Sequence, residues 1–300
     1  MSNNLGTLNS ALILQEALSL VFTKRPVLSS ISKDLDPLGA KQGQTILTRL
    51  KSIPSVVDST DPLPSFNTSD VPVTLSYSKR VGASFTSAQL NSTSRDLIKE
   101  LAEPIAVAMA NSIVDSVAAL WTTTNFPYET VDANPSYNTL VNLRSALVGR
   151  GIHGNRYLSV NSGAYALLLE DPLITRPNRF MAVGTDIIQT SEIAGVVGFE
   201  NTYEYPALPT TNHLTGFACT PEAIVLASRP PQDPREAFGG NIPFPGNFDI
   251  ITDVTTGMSA AAVEWINPDT LDVNVYLKWI YGVAVGNPMA GQRLVSSANV

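Results

Sequence analysis

The apolar positions near the start of the chain follow the spacing of a helix. Residues 11–22 (ALILQEALSLVF) repeat apolar side chains at i, i+4, i+7 and i+8, which places them on one helical face. After Pro26 the chain is irregular through Gly39, and residues 43–50 (GQTILTRL) then alternate β-branched and polar side chains like a strand. The pattern predicts an amphipathic helix on an arm that leads into a sheet.

A polar stretch separates this strand from the next one. Residues 51–69 contain three prolines among many Asp, Asn, Ser and Thr residues, which is the composition of a long extended loop. The following apolar side chains alternate with a period of two: Val71, Val73, Leu75 and Tyr77. Pro72 cannot donate a ladder hydrogen bond, so the strand is predicted at a sheet edge. Because an unpaired apolar edge invites association, we predict that Val73, Leu75 and Tyr77 contact an adjacent subunit.

A long helical pattern comes next. Thr86 and Gln89 have the spacing of a capping box, and apolar side chains recur at helical intervals up to Trp121. A helix from Ser94 to Trp121 would be about 42 Å long. Pro104 interrupts it, because proline lacks an N–H and its ring crowds the carbonyl of the preceding turn. The sequence therefore predicts a kink or a division at Pro104, or a second helix that begins there.

The rest of the chain mixes short helices and strands. After a loop over residues 122–136, the pattern predicts a helix around Leu140–Leu147, a strand at Arg156–Val160 and a helix at Ala164–Glu170. Two apolar strand patterns near the end, Met258–Ile266 and Leu271–Val285, flank the turn Asn267-Pro268-Asp269 and predict a hairpin. Helical and strand patterns both occur along the chain, which agrees with an α+β fold.

Composition adds a deficit of charge. Charged residues make up 15% of the 300 residues, against about 25% in an average soluble domain. The cores of protein interfaces are depleted in charged side chains, so the deficit indicates surface that neighbouring subunits cover. A neutral surface rich in Ser, Thr and Asn is the alternative interpretation. The single cysteine, Cys219, excludes an internal disulfide framework and a cysteine-built metal site.

The sign of the charge limits the class of partner. The net charge is −7, which disfavours a broad basic face whose main task is to bind nucleic acid. The first fifty residues carry five bases and three acids and are weakly basic. No apolar run approaches the roughly 18 residues of a membrane helix, and the start lacks the basic and apolar pattern of a secretory signal.

The candidates for chemistry are weak. Residues 149–154 (GRGIHG) match the GxGxxG spacing of dinucleotide sites, but they follow a helical pattern and precede a strand, so no helix N-terminus would face a phosphate. His153 and His213 lack a metal-binding spacing, and the sequence around Cys219 does not resemble a nucleophile turn. We therefore predict no catalytic residue, no cofactor site and no metal site.

The order of these parts resembles a known fold. The stretches ALILQEALSLVF, GQTILTRLKSIPSV, FTSAQL with LAEPIAVAMANSIVDS, and FENTYEYPALPTTNHLTGFACTPEAIVLASRPP look like the coat proteins of podoviruses. The terminal GMSAAAVEWINPDTLDVNVYLKWIYGVAVGNPMAGQRLV looks like the last strands of the same family. Together they resemble the tailed-bacteriophage major capsid proteins with the Hong Kong 97 fold.

This resemblance implies a division into domains. Residues 1–40 would form an N-terminal arm and residues 41–85 an extended loop. Residues 86–130 and 236–300 would form a peripheral domain with a long spine helix, and residues 131–235 an axial domain.

The resemblance also implies a function. The protein would be a capsid protein, not an enzyme, that assembles into hexamers and pentamers of an icosahedral shell around packaged double-stranded DNA. A scaffolding protein, a portal and non-specific contact with DNA are implied as partners, with no membrane, and the virion as location after assembly in the host cytoplasm. Pro104 would then be a preset bend that changes angle as the shell expands. Some relatives cross-link a lysine to an asparagine, for which Lys51 and Lys79 are the loop candidates.

Other functions remain as alternatives. The shell protein of a cellular nanocompartment would share this fold but enclose an enzyme. Another virion structural protein, such as a tail or decoration component, would form rings or tubes. In a different class, a nucleotide-binding enzyme would use the turn from Gly149 to Gly154.

Overall fold

The computed structural model describes residues 10–50, 69–86, 97–175, 192–233 and 246–297. Side chains are described over these ranges except for residues 10–13, 69 and 97–101. The helices are α1 (Ser10–Lys24), α2 (Leu97–Ala118), α3 (Tyr137–Gly149), α4 (Ser162–Glu170) and α5 (Pro172–Thr175). Short 3-10 turns lie at Pro26–Ser30, Thr211–His213, Pro221–Ala223 and Pro288–Ala290.

The strands of the described chain form two six-stranded sheets and one hairpin. The first half of the chain contains β1 (Ser32–Leu35), β2 (Thr45–Leu50), β3 (Ser69–Thr74), β4 (Tyr77–Phe85) and β5 (Glu129–Val131). The middle contains β6 (Tyr157–Val160), β7 (Ile193–Ala194), β8 (Asn201–Glu204), β9 (Leu214–Cys219) and β10 (Ile224–Arg229). The last strands are β11 (Gly246–Thr252), β12 (Ser259–Ile266), β13 (Val273–Val285) and β14 (Gly291–Val295).

The first sheet is built around the long strand β13. One side of β13 pairs with β12 near its start and with β10 near its end, and β4 pairs along the other side. The strands β11 and β1 lie outside β12 and β10. The predicted terminal hairpin is confirmed, because Ile266 of β12 is opposite Val273 of β13 across the Asn267–Asp272 turn.

One face of this sheet packs on two helices. Leu277, Trp279 and Tyr281 alternate along β13 and point into a core that also contains Leu18 of α1 and Ile113 of α2. This packing explains the helical spacing in both segments, since their apolar faces are buried against the same sheet. The amphipathic helix predicted for the N-terminal arm is therefore confirmed.

The hairpin of β2 and β3 covers part of the opposite face. Val73 and Leu75 join Val225, Ala227 and Ile280 in a second, smaller core. The close approach requires a glycine in β13, because a Cβ on Gly282 would lie 2.1 Å from the carbonyl oxygen of Thr74. The hairpin is thus part of the fold of this subunit.

The second sheet has the strand order β5-β14-β9-β6-β8-β7. Helices α3 and α4 pack on one face through Leu143, Leu147 and Leu168, while Phe217 and Val295 point from the other face into the large core with α1 and α2. The two sheets do not coincide with the residue ranges of the domains that the resemblance implied, and that division stays a prediction. Strand β10 lies within residues 131–235 but pairs in the first sheet, and β14 lies within residues 236–300 but pairs in the second.

One local prediction is wrong and another is partly wrong. The alternating run from Val71 to Tyr77 is two strands, because the chain leaves β3 after Thr74 and begins β4 at Tyr77. The helix α2 continues through Pro104, so it neither divides there nor begins there, and the kink stays a prediction. Pro104 is exposed on the solvent side, where its ring and the missing N–H disturb no packing.

Candidate assembly surfaces

The residues predicted to contact another subunit are mostly buried in this one. Val73 and Leu75 are 0% exposed, and Tyr77 stacks on Tyr281 with ring centroids 5.0 Å apart. A period-two alternation in a sequence does not show whether the apolar face meets its own chain or another. Val73 and Leu75 present no exposed side chain for packing on a neighbour in this conformation, and pairing of their segment with a neighbour stays a prediction. The role of Tyr77 stays a prediction.

The unpaired edge lies one strand further along the chain. Strand β4 has nine residues and pairs only with β13, so no described strand occupies its outer backbone edge, which we call the free edge of β4. The side chains of β4 are mostly half-buried or exposed, and Lys79 and Arg80 are among the exposed ones. An edge of this length is a template for pairing with another chain.

An ion pair and a neighbouring hydrogen bond connect β1 and the β2–β3 hairpin to β10. The guanidinium of Arg229 donates through Nη2 to Oδ1 of Asp34 at 2.6 Å and through Nη1 to the Asp34 carbonyl at 2.7 Å. Thr48 of β2 donates to the other carboxylate oxygen of Asp34 at 2.7 Å. Burial alone would raise the pKa of Asp34, but these two hydrogen bonds and the charge of Arg229 lower it. The network joins β1, β2 and β10.

Polar groups on α2 connect it to the surrounding elements. Arg25, just after α1, donates to Oδ1 of Asn111 at 2.6 Å. One turn later Asp115 accepts from the hydroxyl of Tyr205, and burial together with this hydrogen bond raises the pKa of Tyr205. The hydroxyl of Tyr281 donates to the carbonyl of Ser112 at 2.9 Å. A movement of α2 would therefore exchange contacts with the arm and with both sheets.

Large apolar side chains are exposed at several turns. Val254, between β11 and β12, is 92% exposed, and Ile266 and Leu271 at the β12–β13 turn are 53% and 61% exposed. Leu271 also has a left-handed backbone with φ of +57°, which is rare for a bulky residue. Leu47 of β2 is 64% exposed beside the buried hairpin core. These positions offer apolar contact area to a neighbouring molecule.

The glycine-rich turn at residues 149–154 ends a helix. The last residue of α3 is Gly149, and the N–H of Gly151 donates back to the carbonyl of Val148 at 2.9 Å. Gly151 and Gly154 have positive φ before β6 begins at Tyr157. The predicted helix-terminating turn is confirmed, because these glycines follow the C-terminus of α3 and precede a strand.

The remaining candidates for chemistry are placed apart from one another. Cys219 is buried in β9, and burial raises the pKa of its thiol to about 12, so the thiol is protonated at neutral pH. His153 and His213 are exposed on separate loops. Among the described residues, no group of three His, Cys, Asp or Glu side chains is placed to hold a metal ion. Nor does this part of the chain contain a helix that is long and apolar enough to cross a membrane.

Comparisons at the level of sequence find no relative. The chain matches no protein-family model and no curated protein sequence.

Solved structures do match over nearly the whole chain. The capsid of the cyanophage P-SCSP1u is 10% identical and covers 90% of this chain and 87% of its own, with a TM-score of 0.53. A phage-related protein from Bordetella bronchiseptica is 10% identical and covers 96% and 97%, with a TM-score of 0.55. A virus-like particle from Pyrococcus furiosus is 14% identical and covers 96% and 100%, with a TM-score of 0.53.

These matches define the class of fold. The chain has the Hong Kong 97-like α+β fold of tailed-bacteriophage major capsid proteins, as the order of its sequence elements predicted. Since the identities are near 10%, the similarity establishes the fold alone. Sequence reasoning missed the free edge of β4 and the Asp34–Arg229 network, because both depend on pairings between segments distant in the chain.

Proposed function

We propose that this chain is a major capsid protein that assembles into hexamers and pentamers of an icosahedral shell around packaged double-stranded DNA. The observation that supports this most directly is the match to a phage capsid over 90% of this chain and 87% of the other. The match extends over nearly the whole length of both chains, which supports a shared overall architecture. The 15% charged composition agrees with extensive covered surface.

The free edge of β4 is the subunit contact in this proposal. It replaces the contacts that the sequence suggested for Val73 and Leu75. A strand or extended segment of a neighbouring copy adds to β4 through backbone hydrogen bonds, and the exposed apolar side chains of nearby turns pack alongside.

Two proline variants at adjacent positions test this contact. Along a strand, backbone groups alternate in direction, so of Ala83 and Ser84 one directs its N–H toward β13 and the other toward the free edge. Proline at the position whose N–H points toward β13 removes a hydrogen bond of the β4–β13 ladder. Proline at the other position removes only an N–H that points toward the free edge. We expect Ala83→Pro and Ser84→Pro to differ: one lowers thermal stability, and the other folds normally but forms no shells. A variant of the second kind that assembles normally would contradict the contact.

The partners follow from a capsid function. A scaffolding protein guides the first assembly, a portal admits the genome, and the finished shell is part of the virion after assembly in the host cytoplasm. The alternative is a nanocompartment shell, for which the specific support is the virus-like particle from Pyrococcus furiosus, matched over 100% of its chain.

The content of purified particles distinguishes a phage capsid from a nanocompartment shell. Particles from infected or lysogenic cells should contain double-stranded DNA that resists nuclease until the shells are opened. Particles that contain a single enzyme and no nuclease-resistant DNA would support the nanocompartment and contradict the capsid proposal.

A further inference from the structure

Two cations lie side by side on the uncovered part of the first sheet. Arg80 of β4 is directly opposite Lys278 of β13, and both point away from the face that packs on α1 and α2. Arg80 is exposed and Lys278 is half-buried. Like charges at directly opposed positions destabilise a sheet unless another charge compensates them.

No carboxylate of the described chain compensates this pair. On the same face the neighbouring positions are Ser78, Ile280, Gly82, Tyr276 and Ala261, all uncharged. Within the part of the chain that the structure describes, neither cation has a carboxylate partner, whereas Arg229, one row away, is neutralised by Asp34. A site that keeps two cations together in a chain of net charge −7 is suited to an external anion.

A groove begins at Arg80, while Lys278, directly opposite on β13, is not one of its lining residues. It has a volume of about 530 Å³, and the lining side chains include Arg80, Ser84, Asn274, Tyr276 and Trp265. Gly82 keeps the strand flush with its neighbour, since a Cβ there would lie 2.4 Å from the Cβ of Tyr276. The guanidinium carbon of Arg80 is 5.9 Å from the centre of the Tyr276 ring. The groove therefore combines one cation, hydroxyls, an amide and half-exposed rings, and a second cation, Lys278, lies next to it.

These residue types are the ones that bind phosphate groups of DNA. Arg and Lys supply charge, and Ser, Asn and Tyr supply hydrogen bonds to phosphate oxygens. Arg80 and Ser84 are four residues apart, or about 13 Å along a strand. One DNA strand carries a phosphate about every 3.4 Å of helix axis, so a line of donors this long meets several phosphates. An acidic peptide would neutralise the cations but would have no regular row of anions for the other donors.

We infer that this groove binds the phosphate backbone of the packaged duplex DNA, an inference that rests on the proposed capsid function. A site with only two cations binds DNA weakly. Weak binding suits DNA that has to slide during packaging and leave at injection. The shell repeats the groove in every subunit, so many weak contacts act on one continuous polyanion.

The test measures the binding of a labelled short duplex to unassembled full-length subunits by fluorescence anisotropy. Two phosphate contacts predict a salt slope of about −1.8, or about 12-fold weaker binding at 200 mM than at 50 mM salt. The double variant Arg80→Gln/Lys278→Gln should reduce the slope by about 1.8. The matched control is Lys24→Gln/Arg49→Gln, which removes the same charge from two cations that pair with Glu103 and Asp70. It should bind the duplex as the native chain does.

Three results would overturn the inference. The first is equal loss of duplex binding in both double variants, which would indicate net charge alone. The second is preferential binding of poly-glutamate or single-stranded DNA at this groove. The third is unchanged duplex binding by Arg80→Gln/Lys278→Gln together with loss of its shells, which would make the groove a subunit interface. Electron microscopy of the native chain keeps the two proposals distinguishable. Shells without duplex binding would contradict DNA binding at the groove and would leave the proposed capsid function intact.

Discussion

At the scale of single residues, the Asp34–Arg229 pair connects parts that are distant in the chain. The side chain of Arg229 is 9% exposed and that of Asp34 is 25% exposed, so removal of one partner leaves a nearly buried charge uncompensated. The pair joins the arm to the sheet, and Thr48 adds the hairpin. Its loss should therefore loosen three elements together.

We predict that Asp34→Asn lowers the free energy of unfolding by about 2 kcal/mol at neutral pH. The folded pKa of Asp34 is below its ordinary value of 3.8, so the stabilisation is complete above that pH and is lost as the pH falls through the lowered folded value. The stability difference between native chain and variant should therefore shrink below about pH 4. Urea unfolding across the acid range measures it.

The control for this prediction is Asp249→Asn, which changes an exposed carboxylate of β11. It should have a free energy of unfolding close to that of the native chain at neutral pH. An Asp34→Asn variant as stable as this control would contradict the role of the ion pair.

At the scale of elements, the contact of the hairpin with the sheet depends on one glycine. A Cβ at Gly282 would lie 2.1 Å from the Thr74 carbonyl oxygen and 3.2 Å from the Cα of Leu75, both backbone atoms. Backbone cannot move aside as a flexible side chain does. The hairpin would have to separate from β13.

We expect Gly282→Ala to lower the free energy of unfolding by about 2 kcal/mol, as overpacking does elsewhere. Gly149→Ala is the matched control, because a Cβ there meets no atom within 4 Å. That change should be neutral or stabilising by up to about 1 kcal/mol. Equal effects of the two substitutions in urea unfolding would contradict the close packing.

The bend proposed at Pro104 belongs to the same scale. The structure places Pro104 inside a continuous helix, so Pro104→Ala restores a hydrogen bond and should stabilise the subunit by about 2 kcal/mol. If the bend is used in expansion, the variant should also assemble or expand with altered efficiency. Calorimetry measures the first effect and electron microscopy of early and expanded particles the second. Unchanged particles at both stages would contradict a preset bend at Pro104.

The elements show which features the sequence could predict. The helical faces of α1 and α2 and the β12–β13 hairpin follow from local periodicity, and all three are confirmed. The division at Thr74, the free edge of β4 and the sheet to which β10 and β14 belong depend on long-range pairing, which a period-two pattern does not encode. The burial of Val73 and Leu75 within the subunit also depends on long-range contacts, so the sequence did not predict it.

At the scale of the whole molecule, composition and fold support the same interpretation. A chain with 15% charged residues has little ionic surface to keep it apart from its own copies. The free edge of β4 and the exposed apolar turns are sites through which copies can associate. A heterologous contact of this type closes into rings when the rotation between copies allows it, which is what hexamers and pentamers require.

The most direct test is to express the full chain, alone and with the product of its neighbouring gene, and to examine the product by electron microscopy. Our account predicts closed shells of uniform size, made of hexamers and pentamers. A chain that stays a well-folded monomer in every condition, alone and with that partner, would contradict the account.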